Sequence, residues 1–230
     1  FMPELPEVET ITKALNKVIV GKKIKDVFIG KKKLRMPFPH NFRKNLAGEI
    51  FGVPFRRAKF CILPVSNNKK IILHLGMSGQ IRIINKKVKI EKHDHAVFYL
   101  NNGINIKFTD PRRFGLITLS EKEIDKINLF KNIGPEPNSN EFNENYLLEK
   151  IKNKERSIKN ILMDQKIVAG LGNIYVNEVL YMSKISPIKP GSKINSKNAE
   201  LIINSIKLII QKAIERGGTT LRDHIQPDGN

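Results

Sequence analysis

Apolar residues recur at helical spacing at the start of the chain, where Val8, Ile11, Leu15 and Val18 share one face. Pro6 suits a first helical turn, Glu7 and Glu9 suit its positive end, and Gly21 is a good stop, so a helix is expected here. From about residue 24 to 119 the period shortens to the alternation of strands. Ile104, Ile106 and Phe108 alternate with Asn105, Lys107 and Thr109, behind the hairpin signal Asn101-Asn102-Gly103. Further runs lie at Ile71–Leu73, Ile81–Ile84, Ala96–Leu100 and Leu116–Leu119. Roughly seven or eight short strands at this spacing predict a sandwich. The segment 132–139, with Gly134-Pro135-Glu136-Pro137 at its centre, reads as a linker.

Beyond the linker the pattern is helical. Phe142, Tyr146 and Ile151 predict one helix, Ile158, Ile161 and Leu162 a second, and Ile174 to Met182 a third. Ile202, Ile203, Ile206, Ile209, Ile210 and Ala213 predict a long amphipathic fourth, stopped by Gly217-Gly218. The pattern thus gives an α+β chain, a β-rich half over residues 1–133 followed by a helical half over residues 134–230. The last residues, 226–230, are turn-like and read as a truncation.

Charge then narrows the partner. The chain of 230 residues carries 41 Lys+Arg against 22 Asp+Glu, a formal net charge of +19. Such an excess repels itself in a compact chain and calls for an anionic partner, nucleic acid before an anionic membrane surface. Cys61 is the only cysteine, so neither an internal disulfide nor a multi-cysteine metal site is expected. There is no 18-residue apolar run, and Met2-Pro3-Glu4-Leu5-Pro6-Glu7 is unlike a signal peptide. A cytoplasmic protein is expected.

Several groups could carry chemistry. A free N-terminal amine has a pKa near 8, well below that of lysine, and can attack a sugar carbon to form an iminium. A proline amine at Pro3 would give a permanently cationic iminium, and Glu4 beside it could act as acid or base. Asp110-Pro111-Arg112-Arg113-Phe114-Gly115 reads in two ways, as a nucleic-acid loop with a base-edge donor and an aromatic wedge, or as a polar loop with a buried Phe anchor. Gly170-Leu171-Gly172-Asn173 reads as a phosphate-binding helix start or as a tight helix–helix turn. By itself His74 reads as a structural histidine, Met77 as core and Lys59 as part of a solvated face. Lys92-His93-Asp94-His95 does not make a metal site, because strand neighbours point to opposite faces.

Read in order, these segments say more. They are Met-Pro-Glu-Leu-Pro-Glu-Val-Glu-Thr at 2–10, Arg-Arg-Ala-Lys at 56–59, His-Leu-Gly-Met-Ser-Gly at 74–79 and Lys-His-Asp-His at 92–95. Asp-Pro-Arg-Arg-Phe-Gly at 110–115, Gly-Pro-Glu-Pro at 134–137, Gly-Asn-Ile-Tyr at 172–175 and Gly-Gly-Thr-Thr-Leu at 217–221 follow. The series resembles bacterial formamidopyrimidine-DNA glycosylase over essentially the whole chain. The sister family, endonuclease VIII, usually opens Pro-Glu-Gly-Pro-Glu, and Leu5 stands where that Gly would be.

The resemblance implies two domains, residues 1–133 a β-sandwich with flanking helices and residues 134–230 a helical domain holding a helix–two-turn–helix unit, with DNA in the cleft between. It implies removal of oxidised purines, 8-oxoguanine and formamidopyrimidines, from double-stranded DNA, followed by β/δ-elimination at the abasic site, by a monomer of the bacterial cytoplasm and nucleoid. Pro3 would be the Schiff-base nucleophile on C1′, Glu4 a proton donor near the sugar, and Lys59 a proton donor in β-elimination that also touches phosphate. His74, His93 and Asn173 would hold the DNA backbone. Met77, Arg112 and Phe114 would fill the gap left by the flipped nucleotide, with Arg112 reading the orphaned cytosine. Glu178 would lie near the lesion.

Three departures from the family pattern bear on this reading. Phe1 and Met2 precede Pro3, whose nitrogen is then an amide. The four-cysteine zinc finger, which holds one structural zinc in full-length members, and its late Arg are absent. Glu155 stands where the family often has a basic DNA contact, which Lys154 or Arg156 would replace. The alternatives carried are an endonuclease VIII-like enzyme for oxidised pyrimidines and a catalytically silent damaged-DNA-binding protein.

Overall fold

A computed structural model describes residues 2–85 and 87–217; the expected stop at Gly218, the motif that continues to Leu221 and the turn-like end at 226–230 lie outside the described residues. The chain divides into two compact units, one with Pro3 and residues 7–123, the other with residues 4–6 and 124–216.

The elements of the first stretch are α1 (Leu5–Ile19), β1 (Ile24–Ile29), α2 (Phe42–Leu46), β2 (Phe55–Arg57), β3 (Phe60–Pro64), β4 (Lys70–His74), β5 (Gln80–Ile84), β6 (Asp94–Leu100), β7 (Asn105–Thr109) and β8 (Leu116–Ser120). The strands form two four-stranded sheets, β1-β6-β7-β5 and β2-β3-β4-β8, with every pair antiparallel. Both sheets and α1 contribute to one apolar core, which includes Phe98 and Ile106 from the first sheet, Cys61, Leu73 and Ile117 from the second, and Ile11 and Leu15 from the helix. The expected sandwich is therefore present.

Two details differ from the sequence pattern. On α1 the last buried position is Ile19 rather than Val18, which is only half-buried. On β7 the polar partners of the alternation, Asn105 and Lys107, are buried as well. For Lys107 the cause is an ion pair. Lys107 Nζ lies 3.1 Å from Asp94 Oδ2, while Thr109 Oγ1 donates to Asp94 Oδ1 at 2.6 Å and the Glu91 amide donates to Asp94 Oδ2 at 2.7 Å. A buried carboxylate with a cation and two further donors has its charge and lone pairs answered. The β6–β7 hairpin closes as expected, with Gly103 at φ +83° and the Leu100 amide bonded to the Ile104 carbonyl at 3.0 Å.

The second unit holds α3 (Glu144–Ile151), α4 (Ile158–Leu162), α5 (Asn173–Met182) and α6 (Ser196–Glu215). Asn143, Ser157 and Asn195 cap α3, α4 and α6 with their side chains. Phe142 precedes α3 and is buried against the unit's core, with Leu5, Leu147, Ile161, Tyr175, Val179, Ile202 and Ile206. The residues that suggested a second helix form only one five-residue turn of helix, α4.

Lys107→Met keeps the side-chain stem and removes the cation from Asp94. It is expected to lower the unfolding free energy by about 3 kcal/mol or more, since the carboxylate stays buried without its partner. Urea unfolding reads this directly, and a loss below about 1 kcal/mol would show that the pair contributes little.

Candidate functional site

In the sandwich unit, the segments expected to carry chemistry meet around Asp110, a fully buried carboxylate. Its Oδ1 accepts from Ser78 Oγ at 2.5 Å, its Oδ2 accepts from the Gly115 amide at 2.7 Å, and Ser78 Oγ in turn accepts from the Arg112 amide at 3.1 Å. The Asp110 amide donates to the His93 carbonyl, and its own carbonyl lies 2.9 Å from His95 Nε2. As the partner is a carbonyl, that nitrogen carries the proton. One residue thereby fastens the 76–79 loop, the 110–115 loop and the turn before β6. Glycine is required where the loops touch. Gly76 has φ +62°, and a Cβ there would lie 2.5 Å from the Phe114 carbonyl carbon.

What these loops display is apolar and basic. Phe114 is 48% exposed and Met77 36%, so neither is the core residue that each could have been. The Arg112 guanidinium sits over the Phe114 ring, 4.9 Å from its centroid. Arg113 holds φ +59°, a left-handed conformation that costs a non-glycine residue of order 1 kcal/mol and that clusters at functional loops. His93 is exposed in the turn before β6 rather than on the strand.

Lys59 departs most from the sequence reading. It is not on a solvated face; only 7% of it is exposed. It sits in the two-residue turn between β2 and β3, where Arg57 pairs with Phe60. His74 is paired with Phe60 across the sheet, their rings 4.7 Å apart. Its Nδ1 accepts from the Gly76 amide at 3.0 Å, which leaves the N–H on Nε2. Burial, followed by the positive charges of Arg35 and Lys59, pushes the imidazole down to about 3. His74 is therefore a neutral, single-donor ring at working pH.

In the helical unit, the first turn of α5 is closed by Glu4. The Glu4 carboxylate, 2% exposed, accepts from the Gly172 amide at 2.7 Å and the Ile174 amide at 2.9 Å, with a longer contact from Tyr175 at 3.4 Å. The helix-start glycine, Gly172, has no side chain with which to cap, so a residue distant in sequence does it. The glycine-bounded helix start is thus capped by a carboxylate of the chain itself. Gly170 serves packing: at φ +83°, a Cβ would lie 2.6 Å from Leu5 Cδ1, and its carbonyl accepts from the Leu5 amide at 3.0 Å. Asn173 and Glu178 both point outward from α5. Of the two candidates beside Glu155, Arg156 pairs with Asp164 at 3.3 Å, while Lys154 is half-buried and forms no ion pair among the described residues.

Pro3 is buried, one residue before Glu4. Asp110, Ser78 and His95 were not singled out from the sequence, although an Asp-Pro step after a strand marks a turn whose carboxylate commonly bonds nearby amides. Among the described residues no group of three or more His, Cys, Asp or Glu could hold a metal ion. Cys61 does not fit one either, since burial pushes its thiol up to about 12 and a metal needs the thiolate.

Comparison with known proteins follows the same division of the chain. Residues 2–117 match the family model described as formamidopyrimidine-DNA glycosylase N-terminal domain, and residues 133–224 match that of the formamidopyrimidine-DNA glycosylase H2TH domain. The chain is 43% identical over 229 residues to a formamidopyrimidine-DNA glycosylase of Zymomonas mobilis, covering 99% of this chain and 84% of that protein. Among solved structures it is similar to the Lactococcus lactis protein Fpg (MutM) in complex with N7-benzyl-Fapy-dG DNA, at TM-score 0.88 and 37% identity, covering 94% of this chain and 81% of that one. It is also similar to MutM in complex with DNA containing carbocyclic 8-oxo-G, at TM-score 0.87 and 36% identity, covering 96% and 83%.

Two outcomes are expected. Glu4→Gln turns one accepting oxygen into a donor facing amide N–H groups, so unfolding free energy should fall by about 1–3 kcal/mol; an unchanged urea midpoint would show that the cap is not needed. His74 should show no proton uptake by NMR between pH 8 and 5. Because its pKa is lowered on folding, the unfolded chain binds the extra proton, so this residue reduces stability progressively as pH falls from 6.5 toward about 3. His74→Gln should flatten that part of the stability–pH curve.

Proposed function

The chain belongs to the formamidopyrimidine-DNA glycosylase family, and from that membership and the site geometry we infer a bifunctional DNA glycosylase/AP lyase of base-excision repair. It removes oxidised purines, 8-oxoguanine and formamidopyrimidines, from double-stranded DNA and cleaves the strand at the resulting abasic site. The observation that carries the reading is the exposed trio Met77, Arg112 and Phe114, displayed on two loops that buried Asp110 fastens together. An enzyme that acts on a base must first extrude it, which costs a few kcal/mol. Two apolar wedges and one bidentate base-edge donor are the groups that fill and read the vacated space.

The residues divide the work as follows. Pro3, once it is the first residue of the chain, offers an amine lone pair to C1′. As the N–C1′ bond forms, the base leaves with the pair of its broken bond and takes up a proton while the proline nitrogen loses one; opening of the sugar at O4′, which takes up a second proton, then leaves a cationic iminium. The iminium draws electrons from C2′, whose proton is lost as the 3′ phosphate leaves. Glu4 lies next to the nucleophile with both oxygens accepting backbone N–H groups, so it acts first as proton acceptor and donates only a proton that it has taken up. Lys59 supplies a proton and a phosphate contact in the elimination. His74, His93, Asn173 and Lys154 grip the DNA backbone, which positions without reading sequence. Glu178 faces the lesion. We propose residues 1–133 as the catalytic domain and 134–230 as the DNA-binding domain, in a monomer of the bacterial cytoplasm and nucleoid. No helix among the described residues is long and apolar enough to cross a membrane. The structural zinc implied for full-length members finds no ligand set among the described residues, and no step here depends on it.

The test uses the chain beginning at Pro3 and a duplex with 8-oxoguanine opposite cytosine. Excision is expected, with affinity falling by about 10³ or more between 50 and 200 mM salt if about six phosphates are held. Arg112→Ala should slow excision more than cleavage at a pre-formed abasic site, where less must be extruded. Activity confined to oxidised pyrimidines, or a flat salt response, would contradict the reading.

A further inference from the structure

The turn that carries Lys59 is strained. Ala58 holds φ +52°, a left-handed conformation that disfavours a residue with a Cβ by about 1–2 kcal/mol. Such a conformation persists where its surroundings over-determine it. Here Arg56 Nη1 donates to the Ala58 carbonyl at 2.9 Å, and Arg56 Nε donates to Glu9 Oε2 at 2.7 Å. The pair is largely withdrawn from water, with 12% of the Arg56 side chain and 23% of the Glu9 side chain exposed. Glu9 belongs to α1, the helix that Pro3 precedes by two residues. A continuous series of bonds thus runs from α1 through Glu9 and Arg56 to the backbone immediately before Lys59.

We propose that Glu9 and Arg56 are positioning residues for Lys59: the clamp sets the Lys59 ammonium relative to the helix that follows the nucleophile. The inference rests on the reading of Lys59 as proton donor in strand cleavage. The physical case lies in the shape of the clamp. A guanidinium is planar and rigid, so donating to Glu9 from Nε and to the Ala58 carbonyl from Nη1 fixes the turn in direction as well as distance. Lysine at this position keeps the charge and loses the rigid, two-sided donor. Proton transfer depends on close alignment, and a misplacement of about 1 Å costs about 100-fold in rate.

The test is a double-mutant cycle in the chain beginning at Pro3. It measures the single-turnover rate of cleavage at a pre-formed abasic site and the dissociation constant for the same duplex. Arg56→Lys and Glu9→Gln should each slow cleavage by about 10- to 100-fold, should not add when combined, and should leave the dissociation constant within about 2-fold. In a Lys59→Ala background, already slow, neither change should slow cleavage further. A loss of the same size in that background would show that the pair merely supports the fold and would overturn the proposal. If Lys59→Ala is slow while Arg56→Lys is not, the clamp is wrong and the role of Lys59 stands. If Lys59→Ala cleaves at the parent rate, the reading of Lys59 fails and the clamp with it.

Discussion

The helical unit depends on one carboxylate. α5 begins at a glycine that cannot cap it, so its first amides would face a buried environment without acceptors, a cost of about 1–3 kcal/mol for each group left unpaired. Glu4 answers them from the other end of the sequence. Its negative charge also lies at the positive end of the helix dipole. Two consequences follow. The start of the chain is held to α5, and the outward residues of that helix, Asn173 and Glu178, gain a fixed base.

The same device recurs in the sandwich. In a chain with a formal charge of +19, two buried carboxylates of the sandwich, Asp110 and Asp94, organise the surroundings of basic and aromatic groups. Asp110 ties together the loops that bear Met77, Arg112 and Phe114, and Asp94 holds Lys107 and the turn on which His93 stands. Buried acids that accept backbone N–H groups give loops the rigidity that strands would otherwise supply. The exposed positive charge is then free to meet an anionic backbone.

Much of this was legible in the residue pattern. The periodicity of Val8, Ile11 and Leu15 located α1, Asn-Asn-Gly located the β6–β7 hairpin, and the ordered motifs identified the family. What was hidden was burial. Lys59 and Lys107 look like surface residues because lysine usually is one, and only tertiary partners can enclose them. Met77 looks like core for the converse reason, and Phe114 reads either way. The Glu4–α5 contact could not be read from spacing, since it joins residues about 170 apart whose association only the fold creates. Asp110 was within reach, because an Asp-Pro turn between a strand and an Arg-rich loop calls for an acceptor of local amides.

The proposed chemistry turns on the nitrogen of Pro3. In the Met2–Pro3 peptide bond its lone pair is delocalised into the carbonyl, and an amide of this kind is no nucleophile at any working pH. An amine at Phe1 is no substitute, since two extended residues displace it by about 7 Å. Borohydride trapping on abasic duplex DNA, with the intact mass of the protein determined beforehand, separates the cases. The chain that begins at Pro3 is predicted to form a reduced covalent adduct, and the chain that retains Met2 is predicted to bind the same DNA without one. An adduct formed efficiently by a chain whose mass shows the preceding residues still attached would contradict the account and point to a lysine nucleophile.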